Sequence, residues 1–168
     1  MDPTVFFKMS YGVYVVSSYD EENTRSTGCT ANSVMQITAE PATVAVSMNR
    51  INHTHSCIEK SGKFAVSILA ESSKPLIIGT FGFRSGRDFD KFANFDSVEA
   101  QGIKVLSDAC GYFVCEVVGR METPTHTVFL GKVIEGAKLK GDSPMTYDYY
   151  HNVIKGKTSK NAPTYVAE

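Results

Sequence analysis

Two long strand-like runs, GYFVCEVVGRME at 111–122 and HTVFLGKVIEGAKL at 126–139, are separated only by TPT. The runs are rich in Val, Phe and Tyr, which suit extended backbone, and the break between them is a turn signal. This much extended chain has to find partner strands, and the sequence offers several. YGVYVVSSYD ends in the polar turn DEENTR, after which STGCTANSVMQIT returns as its hairpin partner. ATVAVSMN alternates Val44, Val46 and Met48 against Thr43, Ala45 and Ser47, a two-residue period. KFAVSILA is another strand.

Helices are few. Asp2 before Pro3 predicts a short opening helix in PTVFFKMSYG. NHTHSCIEKSG reads as a helix capped by Asn52 and stopped at Gly62. SSKPLIIGTFGFRSGRDFDKFANF, with Pro75 and three glycines among aromatic residues, predicts short helices joined by a loop. SPMTYDYYHNVIKG predicts a helix with Ser143 as N-cap, Pro144 at the first position, Lys155 in the last turn and Gly156 beyond. The tail KTSKNAPTYVAE has no periodicity, so residues 155–168 are expected to be partly irregular. Six or more strands with short turns and peripheral helices imply a mostly antiparallel barrel, in which closure removes exposed sheet edges. At 168 residues the expectation is one domain over 1–168.

Composition narrows the function. Net charge is −1, with no basic run, which argues against nucleic acid as a partner. No 18-residue apolar stretch suggests a membrane span, and MDPTVFFKMS lacks the pattern of a secretory signal, so the expected location is cytoplasmic. Cysteines 29, 57, 110 and 115 form no CxxC pair and are read as reduced thiols. The NHT sequon at 52–54 is idle without secretion.

Familiar chemical motifs are missing. There is no GxxxxGK[ST], GTFGFRSG does not fit GxGxxG, and no GxSxG elbow occurs. His53 and His55 are two apart on a short helix and point in different directions, so no metal is expected. What stands out is a row of small polar residues, Ser26, Thr27, Thr30, Asn32 and Ser33, beside Gly28 and Ala31. Such residues let a backbone approach something closely and hydrogen-bond it. VSMNRINHTHS then offers a strand end followed by a helix N-terminus, where free N–H groups suit a phosphate. Arg50, His53 and Thr54 could add contacts there. Spacing alone leaves two readings open, an anion site or a capping network with no ligand. FGFRSGRDFDKF reads as a surface loop whose aromatics plug a barrel end while Arg84, Arg87 and Lys91 face water; those basic residues touch an anion only where other segments already imply a ligand. His126, at the start of a strand, is structural, or supplies a hydrogen bond or proton beside a cofactor.

The order of the segments is more specific than any one of them. YGVYVVSS, STGCTANSVMQITAEPATVAVSMN, NHTHSCIEKSGKFAVSIL, SGRDFDKF and HTVFLGKVIEG, in that order, resemble the flavin reductase-like family, whose fold is the FMN-binding split barrel. The closing SPMTYDYYHNVIKGKTSKNAPTY is similar to the branch with flavoredoxins and the flavoprotein part of high-molecular-weight rubredoxins. The resemblance spans about residues 4 to 165. It implies that Thr30, Ala31, Asn32 and Ser33 contact the flavin ring and ribityl chain. Ser47, Asn49, Arg50, His53 and Thr54 would hold ribityl and phosphate. Lys91 matches a family lysine, with Arg87 a second basic candidate, and His126 matches a histidine usually preceded by Asp, here by Thr125. The implied activity is an oxidoreductase moving electrons through bound FMN, with NADH or NADPH as donor. The alternative is an electron carrier exchanging with rubredoxin or another iron–sulfur partner. A homodimer is implied as well.

Overall fold

The computed structural model describes residues 1–160 and 162–165; the remainder of the expected irregular tail lies outside the described residues. In chain order the strands are β1 (Tyr14–Asp20), β2 (Arg25–Ala31), β3 (Val34–Ala39), β4 (Ala42–Asn49), β5 (Lys63–Ile68), β6 (Ser97–Ala100), β7 (Ile103–Leu106), β8 (Gly111–Glu122) and β9 (His126–Lys138). Seven of them form one antiparallel sheet in the order β2-β1-β5-β8-β9-β4-β3. The long pair β8 and β9 that the sequence announced is its backbone, and two register shifts, at Val114/Cys115 and Val117/Gly119, bend it.

The sheet has to curl, because residues from both of its halves share one interior. Val16 and Cys29 from β1 and β2 pack with Val44, Val46 and Met48 from β4, with Phe64 and Val66 from β5, and with Cys115 and Phe129 from β8 and β9. The alternation read in ATVAVSMN holds, since Val44, Val46 and Met48 are the buried members of β4. The fold is thus mostly β, a barrel as the strand pattern implied and a split one as the family resemblance implied. Its split falls between β2 and β3, the two end strands of the sheet, which are consecutive in the chain.

Helices cover the outside. α1 (His53–Ser61) is bounded as its sequence dictates: Asn52 Oδ1 accepts from Thr54 N at 3.0 Å, and Gly62, at φ 67°, ends it with its N–H on Ile58 O. α2 (Pro75–Phe83) starts with proline and buries Ile77, Ile78 and Phe81 in a second core beside Val13, Val15 and Leu69. α3 (Tyr147–Asn152) adds Tyr150 to that core. Among the described residues, no helix is long and apolar enough to cross a membrane.

Four expectations need correction. The opening helix is only a 3-10 segment over Pro3–Lys8. STGCTANSVMQIT is two strands, β2 and β3, broken at Asn32–Ser33. α3 starts later than expected: Pro144 is held in a bridge to Ala70, and Thr146 is the N-cap, its Oγ1 accepting from Tyr149 N at 3.0 Å. The pairing of Pro144 takes the residues expected in the first turn. The middle segment yields one helix, α2, followed by loop and an unforeseen hairpin, β6–β7. That hairpin packs Ala100, Ile103 and Val105 on Ala65 and Val114.

Candidate functional site

At the split lies a cleft of about 210 Å³ lined by residues of β2 and β4. β2 brings Thr30 and Ala31 to it, the bend brings Asn32, and β4 brings Ser47 and Asn49. The start of α1 contributes Asn52 and His53, and the segment after α2 contributes Arg84 and Lys91. The small side chains of Cys29, Thr30, Ala31 and Asn32 therefore line one wall. Thr30 Oγ1 is buried without a hydrogen-bond partner among the described residues. A buried hydroxyl left open on a cleft wall is a place prepared for a polar ligand atom.

Charge points the same way. Arg84 and Lys91 line the cleft, and among the described residues no acidic side chain does. Arg84 lies over the Phe89 ring, 4.7 Å from its centroid. Lys91 is only 3% exposed, and its Nζ donates to Gly28 O at 2.7 Å and to Phe81 O at 3.1 Å. An ammonium has three protons, so one is left for the cleft. Burial pulls the Lys91 pKa below the ordinary lysine value. Among the described residues no carboxylate pairs with it, and an unpaired buried cation is costly unless an anion joins it. Cys29 is on the same wall, its thiol raised by burial while the Lys91 charge pulls the other way.

Other expected site residues sit behind or beside the cleft. Ser33 Oγ donates to Asn32 Oδ1 at 3.1 Å, and its carbonyl accepts from Ser47 N, so it braces the bend. Thr54 is buried against Cys29, one residue into α1. Arg50 is turned outward, where it pairs with Glu122 at 2.8 Å and donates to Thr123 O. Arg87 acts through its backbone, whose carbonyl accepts from Asn23 and Arg25. His126 is outside the cleft lining, paired in register with Asn49. Its Nδ1 meets Thr125 Oγ1 at 2.8 Å, so the threonine stands where the resemblance puts an aspartate. Its Nε2 is buried without a partner among the described residues.

The anion site read at α1 is partly taken by capping. Asn52 Oδ1 and O accept the N–H groups of Thr54 and His55. The cation supply comes instead from Lys91 and Arg84. Sequence reasoning left Phe81, Phe83 and Gly86 outside the site, and missed the tail altogether: Ser159, Ala162 and Pro163 form part of the rim. Thr164 fastens that tail through Asn32. Gly86 was findable as a glycine beside two arginines; a Cβ there would stand 1.9 Å from Thr27 Oγ1. A larger hollow of about 610 Å³ lies by Tyr19 and Lys104, but its lining mixes Arg25, Lys63 and Lys104 with the carboxylates Asp90 and Glu99.

Comparison with known proteins finds a family and close relatives for the chain. The model of the flavin reductase like domain matches residues 6–155. A ferric-chelate reductase (NAD(P)H) of Archaeoglobus fulgidus is 39% identical over 98% of both chains. A high molecular weight rubredoxin of Moorella thermoacetica is 38% identical over 98% of this chain and 72% of its own length. Among solved structures, the NADH:FAD oxidoreductase SgcE6 of Streptomyces globisporus matches with a TM-score of 0.76 at 25% identity, over 84% of each chain. The flavoredoxin of Methanosarcina acetivorans shares the fold, with a TM-score of 0.68 at 20% identity over 80% of this chain and 74% of that one.

Proposed function

Since the chain belongs to the flavin reductase-like domain family, we propose that it binds FMN in the cleft at the barrel split and passes electrons from NADH or NADPH through it. The observation that carries this reading is Lys91: a buried cation on a cleft wall that has no acidic lining among the described residues. A phosphate monoester supplies the missing charge, which favours FMN as the resident flavin. The open Thr30 Oγ1 suits the polar edge of the ring or the ribityl chain, and Ala31 leaves room for a flat group. When bound, the flavin supplies the hydride and electron chemistry. The chain binds and orients it: Asn32 and Ser33 fix the bend beneath it, while Lys91 and Arg84 hold its anion. His126, with Nδ1 engaged by Thr125 and Nε2 open, is the group we assign to the nicotinamide side.

The test is anaerobic. FMN-loaded protein mixed with NADH or NADPH should lose its visible flavin absorbance; none lost at about millimolar nucleotide, the upper end of ordinary KM values, overturns the donor assignment. Flavin released by heat and identified by chromatography should be FMN.

A second reading is favoured by the rubredoxin-named relative, which matches nearly all of this chain. In it the reduced protein hands electrons to a rubredoxin or a similar small iron–sulfur protein. Stopped-flow mixing with oxidised rubredoxin separates the two readings. We also propose a homodimer in a cytoplasmic setting: edge strand β3 leaves Met35 and Ile37 exposed, and the four cysteines are free. Sedimentation of the purified chain checks the dimer.

A further inference from the structure

His53 lines the cleft and, with Asp20 behind it, forms a buried pair that the reading above leaves without a task. Their side chains are 7% and 2% exposed, and His53 Nε2 meets Asp20 Oδ2 at 2.7 Å. The carboxylate also accepts from Glu22 N, Asn23 N and Asn23 Nδ2, at 3.1, 3.3 and 2.8 Å. Burial pushes its pKa up, but the hydrogen bonds from Asn23 and His53 outweigh burial and hold it below the usual value. An ionised carboxylate only accepts, so His53 Nε2 must carry a proton.

That proton decides what the rest of the ring can do. Cys57 Sγ lies 3.7 Å from the same nitrogen, with its thiol pushed up to about 11 mainly by burial, and so stays neutral. The ligating atoms of Asp20, His53 and Cys57 lie within 4.8 Å of one another, but the lone pair an ion would need at Nε2 is used by the N–H bond. Nδ1 is left buried, with no partner among the described residues, on a residue that lines the cleft. Neutral, it offers a lone pair, which repels a phosphate oxygen; protonated, it donates to one.

We propose that Asp20 is a positioning residue that fixes His53 with Nε2–H toward itself, and that Nδ1 takes up a proton from solvent as the ligand's phosphate arrives and donates it to a phosphate oxygen. This rests on the FMN reading. The charges facing the ring make the uptake favourable. Behind it are Asp20 and, in the turn after β1, Glu22, which is paired with Lys60 of α1; neutral Cys57 is the other titratable neighbour. Lining the same cleft are Lys91 and Arg84, which oppose a third positive charge. An incoming phosphate neutralises those two and leaves Asp20 free to stabilise the imidazolium.

Calorimetric titration tests this on the full chain stripped of flavin, with FMN and riboflavin, in two buffers of different ionisation enthalpy. At about pH 8 the phosphate, with a second pKa of about 6, is already dianionic and takes no proton itself. FMN binding should take up close to one proton and riboflavin none. His53→Gln should bind FMN with no uptake and roughly tenfold more weakly, a loss of about 1.4 kcal/mol, while riboflavin affinity stays within about threefold. Asp20→Asn should show less uptake than the parent; if it fails to fold by circular dichroism, His53→Gln carries the test. Proton uptake absent in the parent, or unchanged in His53→Gln, overturns the inference while flavin binding stands. Failure of both flavins to bind at micromolar concentration overturns the FMN reading itself.

Discussion

Asn32 Nδ2 donates to Thr164 Oγ1 at 3.0 Å, joining the bend between β2 and β3 to a residue 132 positions later. Both residues are buried, and Tyr147 OH lies 2.9 Å from the same threonine oxygen and 2.5 Å from Thr158 Oγ1. The C-terminal tail is thus hydrogen-bonded to the cleft rim rather than merely resting near it. Replacing Thr164 with Val keeps the volume and removes the acceptor, leaving a buried amide donor unpaired at a cost of about 1–3 kcal/mol. Proteolytic cleavage within residues 157–165 should become faster in Thr164→Val, and FMN should bind more weakly. Unchanged cleavage would show that the tail is held by something else.

Lys91→Met removes the buried charge and both of its carbonyl contacts. FMN affinity should fall at least about tenfold, or about 1.4 kcal/mol, and riboflavin affinity clearly less. Fluorescence quenching of the two flavins reads the difference directly; equal losses for both would mean that Lys91 supports the cleft wall and not the phosphate.

The thiols are predicted to be quiet. Burial raises Cys115 to about 12 and Cys57 to about 11, and Cys29 is raised by the same cause. Cys110 is the half-buried one, its Sγ 3.3 Å from Asp142 O. Near pH 8, where an unperturbed thiol of pKa about 8.5 is partly ionised, native protein should label with a disulfide reagent at Cys110 alone, and slowly. All four should react in guanidinium. Fast native labelling at Cys29 would contradict the packing of the barrel interior.

Acid should act on the fold through Asp20. Its folded pKa lies below the unfolded value, so its contribution is complete above that unfolded value of about 4 and is lost as the pH falls through the folded one. Thermal melts from about pH 6 to about pH 3 should show the parent losing stability toward acid. Asp20→Asn should start lower at neutral pH and fall less steeply. Parallel curves would place the acid sensitivity elsewhere, with Asp108, whose pKa is lowered against burial by hydrogen bonds from Lys140 and Lys74 N, the next group to test.

The sequence announced the barrel because period and turns are local. The alternation in β4, the caps of α1 at Asn52 and Gly62, and the β8–β9 pair were all read correctly. The β6–β7 hairpin escaped because its strands are short, although Gln101 and Gly102, at φ 51° and 82°, are a turn the residues allow. Pro144 misled because a proline that starts a helix and one that ends a bridge look alike in sequence. Of the expected site, the polar row at Thr30–Asn32 and Lys91 met in one cleft. Arg50 and Arg87 did not, since a charge near a site in sequence has no preference for facing it until the sheet registers are set. The Asp20–His53 pair spans 33 residues and had no local signal at all.

The barrel opens where the chain steps from one end strand of its sheet to the other, through Asn32 and Ser33 alone. The gap between its two lips is therefore set by a stretch of covalent backbone too short to flex widely, not by side chains that could be repacked. Lengthening or shortening that link is the direct way for such a scaffold to resize its mouth for a different guest, and it does so without disturbing a single residue of the sealed interior.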